Sequence, residues 1–377
     1  MKTKTRLTDL ALFFLKLGVV GFGGPSALIA MMEIEMVHKK KWVTRKHFMN
    51  LLAVTYLIPG PNAVEMAHFI GSSTAGFWGL VLSGTSLILP PTIITILLAY
   101  SYQRLGNLPD FQIILASITP MIIAVILYSG YRIGHSALKD VQTIIIFIVS
   151  FIAALSGVDG VIITLSAGLL GLLLYQFGKK KVVPLFLMSA HFLQTQQLII
   201  IFNDRKVQLF LYFLKIGAIL FGSGHVLFAY INHDVVNRFH WLTSRQLLDA
   251  IAVGQITPGP VSSAVTFIGY LLEGLPGAIL ATIGIFLPSF IIVLLIQRFL
   301  PKIIKISGVQ LFFDGINAGV VALIIAVAVN LMRTAIIDIG SIFLLIISLF
   351  ILIRYKIDPA LLVLSGALIG IIKIILI

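Results

Sequence analysis

Two lysines stand inside apolar stretches, each seven residues ahead of a glycine-rich break: Lys16 before Gly23 and Lys215 before Gly222. A lysine at membrane depth costs roughly 3 kcal/mol on insertion scales, so it calls for a partner or a task. The task its neighbours suggest is anion binding. Gly23-Gly24-Pro25 and the triplets Pro59-Gly60-Pro61 and Pro258-Gly259-Pro260 each stop one helix and start another. Proline lacks the donor that a continuing helix needs but suits the first position of a new one, and glycine admits backbone angles other residues avoid. New helix N-termini expose free N–H groups and carry about half a positive charge each. The candidate binding set is therefore Lys16, Gly23, Gly24, Pro59, Gly60, Pro61 and Asn62, with Lys215, Gly222, Ser223, Gly224, Pro258, Gly259 and Pro260. Two lysines near several helix starts suit a compact divalent oxyanion. The plainer alternative has Gly and Pro packing or kinking membrane helices, and Lys16, about 10 Å from its helix start, snorkelling to the interface.

Glu65 follows the first triplet, where the second is followed by Ala264. A buried carboxylate without a counterpart could carry a proton and couple anion movement to a gradient, with His68 on the same helical face. Alternatively, Glu65 pairs with Lys16 or favours its helix N-terminus as acids do. Glu33 and Glu35, matching Asn232 and Asp234, read as interfacial helix ends, with gating as the second option. Asp314 and Asn317, standing where the first half has Ala116 and Thr119, could line a polar pathway or cap a helix, and capping is favoured. The eight histidines show no HExxH-type spacing, there are no cysteines, and no Walker A, dinucleotide or haem motif occurs. No metal site, cofactor or enzyme chemistry is expected.

The elements that must position these residues are written twice. FLKLGVVGFGGP at 14–25 recurs as FLKIGAILFGSG at 213–224, and Trp42 and Pro59-Gly60-Pro61 recur as Trp241 and Pro258-Gly259-Pro260, all 199 residues on. One residue is then lost, so Gly71 matches Gly269 and Pro90 matches Pro288. The chain is 59% apolar and 11% charged, with mean hydropathy +1.08, which no ordinary soluble domain shows. Long apolar runs bounded by charged loops predict an all-α polytopic membrane protein. Six segments per half are expected near 9–37, 48–71, 77–100, 111–133, 141–156 and 160–177, and near 207–231, 247–270, 277–297, 309–332, 335–353 and 358–376. This gives an N-terminal repeat over 1–178, a linker over 179–206 and a C-terminal repeat over 207–377. The N-terminal Lys2, Lys4 and Arg6 precede an apolar stretch without a small-residue cleavage site, so that stretch reads as a retained segment. The net charge of +13 sits mostly in short loops, as the positive-inside rule requires, so the expected partner is the lipid bilayer and not nucleic acid. A homodimer is allowed by the sequence, not required by it.

Loop charge also orients the halves. With a cytoplasmic N-terminus, Arg132, Lys139 and Lys179-Lys180-Lys181 fall inside. If 182–202 also crosses, Arg298, Lys302, Lys305, Arg354 and Lys356 fall inside too, and the halves are inverted repeats joined by a linking helix. The loop with Lys39, Lys40, Lys41, Arg45 and Lys46 is internal only if 9–37 re-enters, turning at Gly21-Phe22-Gly23-Gly24-Pro25. Broken or re-entrant helices are therefore expected at 9–37 and 48–71 and in their copies. In a membrane such breaks survive only where protein or a wet cavity satisfies the backbone.

With these residues in place, the chain resembles the chromate ion transporter family in its long, two-half form. The likeness rests on FLKLGVVGFGGP, on Glu35-Met36-Val37 to Trp42, on IPGPN at 58–62, on FLKIGAILFGSG, on ITPGP at 256–260 with Gly269, and on Pro90 and Pro288 in LILPP and IFLPS. The two copies span most of the chain. The resemblance implies chromate efflux across the bacterial inner membrane and resistance to chromate. It also implies a link to sulfate as a similar anion and antiparallel halves. Two departures stand out: Ser223-Gly224-His225 replaces Gly24-Pro25-Ser26, so His225 can stand in for a backbone donor, and Glu65 has no counterpart. An exporter of another small anion, or an anion channel, are the competing readings.

Overall fold

The computed structural model describes residues 7–106, 108–176, 204–221, 224–296, 307–336 and 338–376. Among them are fourteen α-helices and no strand. The first half holds α1 (Leu7–Val20), α2 (Gly24–Glu33), α3 (Arg45–Thr55), α4 (Asn62–Leu105), α5 (Pro109–Ala137), α6 (Val141–Leu155) and α7 (Gly160–Gln176). The second holds α8 (Arg205–Ile219), α9 (Val226–Ile231), α10 (Ser244–Ile256), α11 (Ala264–Ile296), α12 (Ser307–Ala335), α13 (Ile339–Tyr355) and α14 (Pro359–Leu376). Five helices among the described residues are long and apolar enough to cross a membrane. The expected linking helix over 182–202 lies outside the described residues, as do Gly222 and Ser223.

The expected breaks are present. α1 ends at Val20 and α2 starts at Gly24, with Gly23 at φ 93° and Gly24 at φ 72°, angles that a side chain rarely tolerates. Pro25 occupies the first turn of α2. Pro61 and Pro260 sit one residue ahead of the helical turns that follow them. The two breaks are also tied to each other. Gly60 donates its N–H to the Leu220 carbonyl at 2.8 Å, and Gly259 donates to the Gly21 carbonyl at 2.8 Å. Leu220 and Gly21 are the same position in the two copies, as are Gly60 and Gly259. Each half thus satisfies a backbone carbonyl left open where the other half's helix ends, which a membrane interior demands.

α4 and α11 each fold into a tight helical hairpin. The turn is Ala75-Gly76 (Gly76 φ 66°, ψ −148°) in one and Glu273-Gly274 (Gly274 φ 62°, ψ −150°) in the other. Their limbs approach through Gly71 against Gly79 and Gly269 against Gly277, where any Cβ would strike backbone. Hydroxyls fasten the contact: Ser83 donates to the Ala67 carbonyl at 2.7 Å, and Thr266 bonds Thr282 at 2.7 Å.

The remaining helices interleave. α5 packs against α13 and α14 of the second half, α12 packs against α6 and α7 of the first, and α5 and α12 meet between them. Duplicated caps start α6 and α13, where Asp140 accepts from the Thr143 N–H and Asp338 from the Ser341 N–H. The Ser341 hydroxyl and N–H hold the exposed Asp338 carboxyl below its ordinary range.

Candidate functional site

The breaks converge on a cavity of about 370 Å³ shared by both halves. Gly23, Gly24, Pro25 and Ser26 of the first break line it, as do Gly224 and His225 of the second. Asn62 and Val261, the residues that directly follow the two Pro-Gly-Pro triplets, complete that part of its wall. The triplets themselves stand one layer behind, where Gly60 and Gly259 hold the halves together. The start of α2 faces this space with no side-chain cap on its free N–H groups, which suits an anion. The second-half counterpart is the short α9, so the two halves do not offer equivalent ends.

The cavity's cations come from α5 and the turn after it. Tyr128, Ser129, Arg132 and Ser136 form a polar stripe at helical spacing, followed by Lys139. Arg132 donates from Nη2 to Ser26 Oγ at 2.9 Å, in the first turn of α2, and has no carboxylate within ion-pair distance among the described residues. Lys139 is paired with Asp314 at 3.1 Å across the two halves. Asp358, the other acid in the wall, uses Oδ1 to cap α14 through the Ala360 N–H at 2.9 Å. Gln255 and His225 hydrogen-bond at 3.0 Å on the far wall. A wider space of about 710 Å³ adjoins, sharing Gly23, Ser26, Arg132 and Asp358 and adding His135 and Lys356.

Several sequence expectations change here. Lys16 and Lys215 do not line the cavity. On α1 the buried residues are Leu10, Phe14, Leu17 and Gly18, and the helical period turns Lys16 to the exposed side. Lys215 is half-buried on α8, where Leu209, Tyr212, Phe213 and Ile216 form the inward face. The cations that line the cavity are Arg132 and Lys139, which the sequence offered only as loop charges; the stripe 128-129-132-136 was the signal for them. Asp314 and Asn317 lie well inside α12 and line the cavity, so they are not caps. Glu33 and Glu35 are engaged with Arg45 and Lys39 at 3.5 and 3.1 Å, as partly exposed pairs of small energetic weight.

Glu65 is fully buried one helical turn beyond Asn62, and neither carboxyl oxygen has a hydrogen-bond partner among the described residues. A Cβ on Gly60 would run into it, so glycine makes its room. His68 is buried beside Phe290 and donates from Nδ1 to the Leu80 carbonyl at 3.0 Å, leaving Nε2 without a partner. Ser262 and Ser263, at the second triplet, are buried with unpartnered hydroxyls, and Ser262 lies against Gly224 in the cavity wall. Sequence reading passed over both serines, although the first half has Ala63 and Val64 in their places.

Comparison with known proteins matches this double architecture. The sequence profile of the family described as Chromate transporter matches residues 8–172 and again 207–371, a spacing equal to the repeat. The "Chromate transport protein" of Cupriavidus metallidurans is 30% identical over 374 residues, covering 97% of this chain and 93% of that protein. The "Probable chromate transport protein" of Synechococcus elongatus is 30% identical, covering 91% and 89%. The Pseudomonas aeruginosa "Chromate transport protein" is 32% identical, covering 84% and 79%. No solved structure matches. The chain belongs to the chromate transporter family, as a multi-pass helical membrane protein in the two-half form.

Proposed function

We propose that this protein is a secondary active transporter, not an enzyme, that exports chromate or a like tetrahedral dianion across a bacterial inner membrane and so confers resistance. The observation that carries the reading is the meeting of the α2 N-terminus, which no side chain caps, with Arg132, which makes no ion pair among the described residues, in a cavity walled by both halves. Backbone N–H groups and a planar guanidinium suit an oxyanion's several acceptors. In the orientation that loop charge favours, Arg132, Lys139 and Lys356 lie on the cytoplasmic side. The cavity is then open inward, and inverted halves rock to expose it outward.

Glu65 is the proton carrier in this reading. A charged carboxylate there lacks any partner among the described residues and costs several kcal/mol, and a proton removes that cost. Protonation next to Asn62 thereby couples to the anion's site. In proteoliposomes, an imposed proton gradient is expected to drive chromate against its own gradient, and Glu65→Gln is expected to remove that drive while downhill flux persists. Flux in wild type that only ever runs downhill would identify a channel and reject the transporter. Competition by sulfate measures how far the site discriminates between the two dianions.

A further inference from the structure

On the side away from Arg132, a second polar cluster joins the halves. His233 and Asp234 come from a π-helical turn, Asn232–Arg238, that follows α9, and Asp159 comes from the turn before α7. The ligand atoms of these three side chains lie within 4.8 Å of one another, and both aspartates are buried. The repeat does not reproduce the set: His233 falls on Ile34 and Asp234 on Glu35, and the counterpart of Asp159 as a helix cap is Asp358 at the cavity.

The imidazole is held at both nitrogens. Nε2 lies 3.1 Å from the Gly157 carbonyl, an acceptor, so Nε2 carries a hydrogen. In the neutral ring Nδ1 then turns its lone pair to Asp234 Oδ1, 2.9 Å away, and two acceptors face each other. An outer nitrogen donating to a backbone carbonyl while the inner one faces carboxylates is the arrangement of metal-bound histidines. A second feature points the same way. Tyr212 is fully buried, and the acids its hydroxyl faces are Asp234 and Asp159.

We propose that Asp159, His233 and Asp234 bind a divalent transition cation that clamps the first half to the second. A tetrahedral ion with bonds of about 2.1 Å sets its ligands about 3.4 Å apart, a spacing that side-chain rotation reaches from the separations present. One nitrogen and two carboxylates suit Zn²⁺ or Co²⁺ over Mg²⁺. The fourth position falls to water or to the Tyr212 oxygen. Sequence spacing hides the set because its ligands come from opposite halves.

The full chain, purified in detergent and stripped with a chelator, tests this without any transport assay. Expected are one Co²⁺ per chain with visible d–d absorption that Zn²⁺ displaces, a higher melting temperature with either ion, and no effect of Mg²⁺. His233→Ala is expected to weaken Co²⁺ binding by about 100-fold or more. Asp159 also caps α7, so the wild-type spectrum and its displacement serve as the readout should the Asp159→Asn variant not fold. Wild-type protein whose melting is indifferent to Zn²⁺ and chelator, as a plain imidazolium–carboxylate pair requires, overturns the proposal. So does Co²⁺ binding that survives His233→Ala.

Discussion

In the proposed anion site Arg132 is the cation on which recognition turns, because Lys139 is already engaged by Asp314. Its guanidinium reaches Ser26 and so stands beside the α2 N-terminus, where a bound oxyanion can take donors from both. Arg132→Gln removes the charge and leaves a neutral amide, and a charge-assisted hydrogen bond is worth about 1.5–3 kcal/mol. The expected outcome is a KM for dianion flux raised about 10- to 100-fold, with folding intact, measured as initial rate against concentration in proteoliposomes. Arg132→Lys keeps the charge but loses the planar fork, and it should recover only part of that loss. This residue also marks the limit of what could be read from the chain. Motifs in Gly and Pro are legible because only those residues break a helix in that way. A cation's task depends on which face of its helix meets which neighbour, and Lys16 and Arg132 differ in that respect. Lys16 was the more conspicuous in sequence because it interrupts an apolar run, yet its helical face turns outward.

The broken helices are where sequence and structure agree most closely, since φ values of 93° at Gly23 and 141° at Gly60 leave glycine little competition. The turn inside α4 was legible as the gap between the expected segments 48–71 and 77–100, but its tightness was not, because the close limb contact at Gly71 shows only in three dimensions. Gly60 tests the element. Alanine there meets a backbone angle that L residues avoid and drives its Cβ into Glu65 and towards Ser289. Strain of this kind costs about 1–3 kcal/mol. Gly60→Ala should lower the melting temperature and weaken the bond to Leu220 that ties the halves. By contrast Gly157→Ala, also at positive φ but with open space around it, should show the backbone cost alone.

The repeat gives the molecule two copies, but the packing does not give it two separable bodies. α5 is covered by α13 and α14, and α12 by α6 and α7, so each half leaves an apolar surface that only the other covers. Residues 1–190 and 191–377 expressed as separate chains are expected to accumulate poorly alone and to recover together as a complex, read by copurification of one through a tag on the other. Stable accumulation of either half by itself would contradict the interleaved core. The same interleaving sets a clock on biogenesis. α5 is complete at residue 137 and its cover in α14 begins at residue 359, a delay of 359 − 137 = 222 residues. At about 5–20 residues per second on the ribosome, that is roughly 10–45 s. During that interval an apolar helix rests against lipid or an insertase, and the ribosome must all but finish before the first half can close.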